Sequence, residues 1–304
     1  MTRKRLSVST GMNGPKTSGI ENVAVVSGEV EPTFEKYRRM GFNLTPVSAH
    51  FEGPDRHTRH ANRNRYAMFE RRSYYEVLNV SIDGLPDAGY GWRLRKWGDH
   101  LGKIMFAFDD IAALKGHFEN KGQAFAPDYT RMTRVWTSAE TGLEHVVPMD
   151  VMGLPDDLCP GFFNAALKHL SPEENYVAEY LVHPNTALGI SGNLVCVDEV
   201  SKAAEGYAAA LGTDYEMVGD EARFAFANGT RLVFVRPADA HRYLGNIQIP
   251  RTPYLAATFF WVGDLTQTAD VLRSNGVTFE WRAGRLVVDP KDGANAVCIF
   301  EAEG

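Results

Sequence analysis

The residue whose setting most demands a chemical explanation is Glu76. It stands inside the apolar run Tyr74-Tyr75-Glu76-Val77-Leu78, where an unpaired carboxylate is costly to bury. Either strand alternation turns it to solvent or to one of the chain's arginines, or it is kept inside for a function. Upstream, His50, His57 and His60 lie among Arg56, Arg59, Asn62 and Arg63. Histidine intervals of seven and three resemble helical metal pairs, but Gly53-Pro54 interrupts the segment and the arginines repel cations. A mobile basic loop over an acidic or phenolate substrate fits that composition better, with a plain solvated loop as the alternative. His169 precedes the helix-start signal Ser171-Pro172-Glu173-Glu174. His183 precedes Pro184, which biases it away from helix. Each imidazole has either a site role or a structural one, in a capping turn or in a linker. His145, in the extended Glu144-His145-Val146-Val147, is a weaker candidate. Trp92, Trp97, Trp136 and Tyr75 can wall an apolar pocket, although such aromatics more often fill cores.

The elements that position these residues are duplicated. Asn22-Val23-Ala24-Val25-Val26 precedes a helix carrying Tyr37 and ending at Gly41, and Asn193-Leu194-Val195-Cys196-Val197 precedes one carrying Tyr207 and ending at Gly212. Asn22 to Gly41 and Asn193 to Gly212 are the same interval, which points to a fold built by repetition. Asp110 to Gly122 and Asp264 to Gly276 form a second equal pair, each a capping Asp, a helix and a Gly that closes it. Strands are expected near 43–46, 65–69 and 74–80 in the first unit, and at 123–126, 133–138 and 162–167 in the second. Asn228-Gly229 signals a hairpin. Residues 1–18 read as a disordered tail, 19–170 as the first domain, 171–191 as a linker and 192–304 as the second domain.

Composition narrows the function. The 304 residues are 44% hydrophobic and 23% charged, with a net charge of −6. That acidic balance argues against nucleic acid or an anionic membrane as partner. No apolar run approaches the roughly 18 residues of a membrane span, and the polar N-terminal stretch has no signal-peptide core. Cys159, Cys196 and Cys298 are too few and too scattered for a disulfide framework or a zinc pattern. A cytoplasmic setting is the expectation.

A strand, a helix and three strands, repeated in pairs, resembles the module of the vicinal oxygen chelate superfamily, which includes glyoxalases, bleomycin-resistance proteins and extradiol dioxygenases. The chain resembles its glyoxalase-like branch through Asn22 to Val26 with Tyr37-Arg-Arg-Met-Gly-Phe, Ala61-Asn62-Arg63, Tyr74 to Leu78, Asp109-Asp110, His169-Leu-Ser-Pro-Glu and His183-Pro184-Asn185. The resemblance implies an α+β fold of four βαβββ modules paired into two half-barrel domains. It implies a divalent metal, of unstated identity, held by residues of first and last strands, with Glu76 as ligand or general base and His169 or His183 replacing an absent first-strand histidine. Asn22 occupies that histidine's position, as ligand or as substrate hydrogen-bonder. Asn62 and Arg63 would orient the substrate, and Trp136 would wall its pocket. The implied activity is lyase, isomerase or hydrolase chemistry beside a carbonyl of a small molecule with oxygen functions, with an anionic oxygen stabilised. A metal-free binding protein of the bleomycin-resistance type is the alternative. The second half, with Glu301 mirroring Glu76 but Asn193 and Thr258 at first-strand positions, reads as structural or as the surface of a homodimer.

Overall fold

The computed structural model describes the chain apart from residues 1–4, 9–13, 54, 57, 81–83, 88, 124–129 and 304. His57 and most of the strand expected at 123–126 therefore lie outside the described residues. After β1 (Arg5–Val8), the first module is β2 (Gly19–Ser27), α1 (Val30–Arg39), β3 (Ser48–Glu52), β4 (Thr58–Met68) and β5 (Tyr74–Val80). Helix α2 (Tyr90–Trp97) leads to the second: β6 (His100–Ala107), α3 (Ile111–Asn120), β7 (Thr130–Thr137), β8 (Glu144–Gly153) and β9 (Phe163–His169). The short α4 (Pro172–Asn175) and a 3-10 turn (Ala178–Tyr180) precede the third: β10 (Ala187–Cys196), α5 (Val200–Leu211), β11 (Tyr215–Val218), β12 (Glu221–Ala225) and β13 (Arg231–Val235). The one-turn α6 (His241–Leu244) precedes the fourth: β14 (Tyr254–Val262), α7 (Leu265–Ser274), β15 (Phe279–Arg282), β16 (Arg285–Val288) and β17 (Val297–Ala302). This is the α+β fold of four βαβββ modules in two pairs.

In each module the first strand pairs in parallel with the last: β2 with β5, β6 with β9, β10 with β13 and β14 with β17. Within each pair of modules the two first strands lie side by side and antiparallel, β2 with β6 and β10 with β14. In the first half β3 also pairs with β7, and the eight strands close a barrel in the order β2-β5-β4-β3-β7-β8-β9-β6. In the second half the sheet stays open, from β1 beside β11 at one edge to β15 at the other. The segment around α6 covers its concave face: Leu244 is buried there, with Tyr243, Ile247 and Ile249 packed beside it against Val233, Phe259 and Ile299.

The largest core joins the two halves through the outer faces of the sheets and the helices of the modules. Phe42, Tyr75, Phe260 and Phe300 meet at its centre, with Phe42 and Tyr75 centred 5.2 and 5.3 Å from Phe260. Strand β5 is thus covered on both sides. Tyr75 and Val77 point to this core, while Tyr74, Glu76 and Leu78 point into the barrel. A strand buried on both faces reads as a near-continuous apolar run.

Four expectations need correction. The polar stretch 50–64 is no loop: most of it lies in β3 and β4. His60 and Asn62 of β4 line the barrel cavity while Arg59, Arg63 and Arg65 alternate with them, so the run is polar on both faces and carries no period of two to mark a strand. Residues 43–46 are irregular, and the strand begins at Ser48. The tail is not wholly disordered, since Arg5–Val8 pairs with β11. The expected linker ends inside β10, which starts at Ala187. Among the described residues no helix is long and apolar enough to cross a membrane, and the three cysteines are free and buried.

The helix ends follow the local chemistry. Asp110 accepts from the Ala113 amide at 2.9 Å, and Asp264 accepts from Thr266 and Gln267 at 2.7 and 3.0 Å. Gly41, Gly122, Gly212 and Gly276 all have φ between +63° and +85°. Gly212 is the most constrained, because a Cβ there would collide with the Pro15 carbonyl oxygen. Gly212→Ala is expected to cost more than about 1 kcal/mol, read as a lower urea midpoint with unchanged slope.

Candidate functional site

The barrel interior holds a cavity of about 210 Å³. Its walls are mainly apolar, with Leu78, Tyr90, Met105, Met132, Met149 and Phe163, and its polar groups include His50, Glu52, His60, Asn62, Glu76 and Lys103. A groove of about 580 Å³ beside Trp97 and Arg251 is larger. The barrel cavity is the one that encloses a buried carboxylate and ammonium together.

Register explains that pair. Around the barrel, Tyr66 on β4 lies opposite Glu76 on β5, Glu76 opposite Ala24 on β2, Ala24 opposite Lys103 on β6, and Lys103 opposite Phe163 on β9. Ala24 carries only a methyl group, so the lysine reaches across β2 and its Nζ donates to Glu76 Oε2. Asn64 Nδ2 donates to the other carboxylate oxygen at 2.5 Å and lies 3.3 Å from His50 Nε2. Ser48 Oγ donates to Asn64 Oδ1, and Arg134 Nε donates to Ser48 Oγ at 2.9 Å. Arg134 is fully buried. Its other hydrogen bonds go to Asn175 Oδ1 at 3.3 Å and Thr45 Oγ1 at 3.1 Å, both neutral. Its guanidinium carbon lies 3.7 Å from the centre of the Tyr66 ring and 5.4 Å from that of Trp136.

Burial works against the charge on Glu76, but Lys103, His50 and Asn64 outweigh it and hold the carboxyl below its ordinary range. Burial alone would raise the carboxyl, and the adjacent ammonium reverses that effect. Burial pushes His50 down to about 3, so it is neutral at pH 7. It also lowers His60, which lies 3.7 Å from Glu52 at the cavity mouth.

The other candidates distribute unevenly. Asn62 lines the cavity. Arg63 projects from the opposite face of β4, away from Asn62. Asn22 is buried within the barrel wall and donates to the Tyr74 carbonyl at 3.2 Å, as Asn193 donates to Ala257 at 3.1 Å. Both asparagines tie a first strand to its neighbour. Trp136 is buried towards the floor, stacked on His145 with centroids 4.3 Å apart. His183 accepts from the Asn43 amide at 2.9 Å and donates to the Met68 carbonyl at 2.8 Å, so both ring nitrogens serve the backbone. His169 is at the floor, 3.4 Å from Glu21 and packed against Tyr74. Neither histidine lines the cavity with Glu76. Lys103, Asn64 and Arg134 were not singled out by sequence reasoning. A lysine opening the apolar run Ile104-Met105-Phe106 was the available signal for the first.

The residues around Glu76 do not fit a divalent metal. Among the described residues no three His, Cys, Asp or Glu side chains converge. Both oxygens of Glu76 are occupied, one by an ammonium that repels a cation.

The closed and open pairs of βαβββ modules define a vicinal oxygen chelate fold. The model of the glyoxalase-like domain family matches residues 23–211, and the chain belongs to that family. No curated protein matches it in sequence. A hypothetical protein from Staphylococcus aureus is similar in structure, with a TM-score of 0.63 and 11% identity over 93% of this chain and 99% of the other. A mutant 4-hydroxymandelate synthase from Streptomyces coelicolor gives 0.57 and 14% over 95% and 94%. A Mn(II)-bound glyoxalase from Novosphingobium aromaticivorans gives 0.54 and 11% over 95% and 84%. At these identities the structures share the fold alone.

The barrel floor carries a titration of its own. Burial raises Glu21 to about 7, against a hydrogen bond from Tyr176 at 2.8 Å and the charge of Arg72. An acid with a raised folded value binds its proton more tightly when folded, so its contribution to stability falls between pH 4.5 and 7. The thermal midpoint of Glu21→Gln should therefore gain on wild type from pH 5 to pH 7 and hold that gain above it. A pH-independent difference would mean that Glu21 titrates normally.

Proposed function

We propose that the N-terminal barrel is the active site of a metal-independent enzyme that acts beside the carbonyl of a small molecule, in isomerase or lyase chemistry. The supporting observation is the buried Glu76–Lys103 pair on the wall of a mainly apolar cavity. A substrate carbonyl oxygen hydrogen-bonded to Lys103 Nζ would share the ammonium with Glu76. The carboxylate, partly released from its counter-ion, then feels its burial more strongly and becomes a better base. Glu76 takes the proton from the carbon next to the carbonyl; the C–H electron pair becomes the new C=C bond and the carbonyl π pair moves onto the oxygen. Lys103 stabilises that oxyanion in a site that excludes water. Asn64 keeps Glu76 in place through its second oxygen. The mainly apolar walls hold the substrate's body, and Asn62 and His60 contact its solvent end.

A sequestering protein of the same fold is the second reading, favoured by one observation: both oxygens of Glu76 are already engaged. Solvent exchange separates the two. Enolisable ketones and oxo acids are incubated in D₂O with chelator-treated protein, and loss of the α-proton signal is followed by NMR. Exchange should persist in chelator and fall about 10²–10³-fold in Lys103→Met, the loss typical of removing one oxyanion donor. Glu76→Gln should abolish it. Exchange that needed an added metal would overturn the proposal, and ligand binding with no exchange would favour sequestration.

A further inference from the structure

We infer that the molecule held in this barrel is a small monoanion with a compact apolar body, such as a single ring carrying one carboxylate. The inference rests on the reading of the barrel as the site, and not on any reaction there. It starts from the charges of the interior. Arg134 and Lys103 are two buried cations, and among the described residues Glu76 is the one buried anion that faces them. Glu76 is bonded to Lys103, so Arg134 is left with neutral partners, and among the described residues no carboxylate pairs with it.

The remaining titratable groups do not change this balance. His50 and His169 are neutral at pH 7, since burial pushes each to about 3. Glu52 is at the mouth and about half exposed, where water screens it. Asp150 is paired with Arg131. Glu21 belongs to the floor, with Tyr176 and Arg72 as its partners. The interior around the cavity therefore carries one positive charge in excess, in a medium of low polarisability where an unpaired charge is expensive.

Geometry shows where the balancing charge would sit. Tyr66 is a wall of the cavity on one side and lies against the Arg134 guanidinium on the other. An anion beside Tyr66 and Lys103 would be one ring's thickness from Arg134. The one hydrogen-bond partner of Lys103 among the described residues is Glu76, which leaves ammonium hydrogens for a ligand oxygen. Size and lining set the rest of the molecule. A cavity of about 210 Å³ lies below the usual range for ligand pockets, with room for one ring and a short acidic arm. Three methionines in the wall give it an adaptable apolar lining.

Binding is measured by calorimetry and thermal shift with phenylacetate, cyclohexylacetate, their neutral amides and phenethylammonium, in the presence of chelator. The acids should bind at least about tenfold more tightly than their amides, and the ammonium should not bind. Lys103→Met should weaken the acids about tenfold or more while leaving the amides little changed. Leu78→Trp, which fills the cavity, should abolish binding. Amides equal to acids, or no binding by any of the probes, would overturn the inference. So would acids that bind Leu78→Trp as well as wild type, because the anion would then sit elsewhere, for example at Arg251. An anion preference without proton exchange would leave the inference standing and remove the proposed enzymatic step.

Discussion

A carboxylate with no exposed surface stays ionised only where cations and hydrogen-bond donors replace the water it has lost. Glu76 is such a group, and much of the first half is arranged around it. Strand β5 must be covered on both faces, so the aromatic core between the halves has to form on one side while the barrel closes on the other. Lys103 must reach over β2, which requires a residue as small as Ala24 between them. Asn64 must lie on the inner face of β4, held by Ser48, and Ser48 in turn is held by Arg134. Removing one member of this chain leaves another buried polar group without its partner, a larger effect than the net worth of any one bond.

The second half shows the same architecture with its sheet left open and its inner face covered. Glu301, on the last strand of the fourth module, is also held by cations: Arg231 at 2.6 Å and Arg285 at 2.9 Å, with Ser191 donating to the oxygen that Arg231 contacts. Its sheet remains open, and the segment with α6 lies in the concavity. In the first half the corresponding connection between modules carries α2, whose Tyr90 forms part of the cavity wall while the space beneath stays open. Duplication thus supplied two frames with a carboxylate–cation pair on the last strand. The connecting segments, the least constrained part of a module pair, decided which frame keeps room for a ligand.

What was legible in the sequence was local. Helix ends depend on an Asp that caps and a Gly that takes positive φ, and these lie within a dozen residues of each other. The repeat and the family resemblance followed from such intervals. What was not legible depends on register. Nothing near Lys103 in the chain says that it pairs with Glu76, because the contact is set by two strands aligned on a third. Arg134 is hidden for the same reason, since its partners Thr45 and Ser48 come from one segment and Asn175 from another, both distant in the chain. The polar hairpin of β3 and β4 misled because Thr58 to Arg65 is polar on both faces of its strand, a composition it shares with a solvated loop. His183 misled in another way: a short motif placed it correctly at a bend, but its ring nitrogens bind the backbone that makes the bend.

On the proposed reading an ammonium takes the role of a metal, and that changes what the site can discriminate. A divalent cation draws in two neighbouring oxygens at once and tolerates many substrates that present them. An ammonium on a flexible stem offers separate N–H bonds and a single charge, already shared with Glu76. It therefore responds to one oxygen at a time and gains most from a ligand whose charge Arg134 also attracts. Selectivity in such a barrel comes from the summed field of the interior together with the shape of its apolar wall. That field is built from covalently attached groups, so it persists under conditions that would strip a metal, and it is tuned by the side chains that set the distance between Arg134, Tyr66 and Lys103.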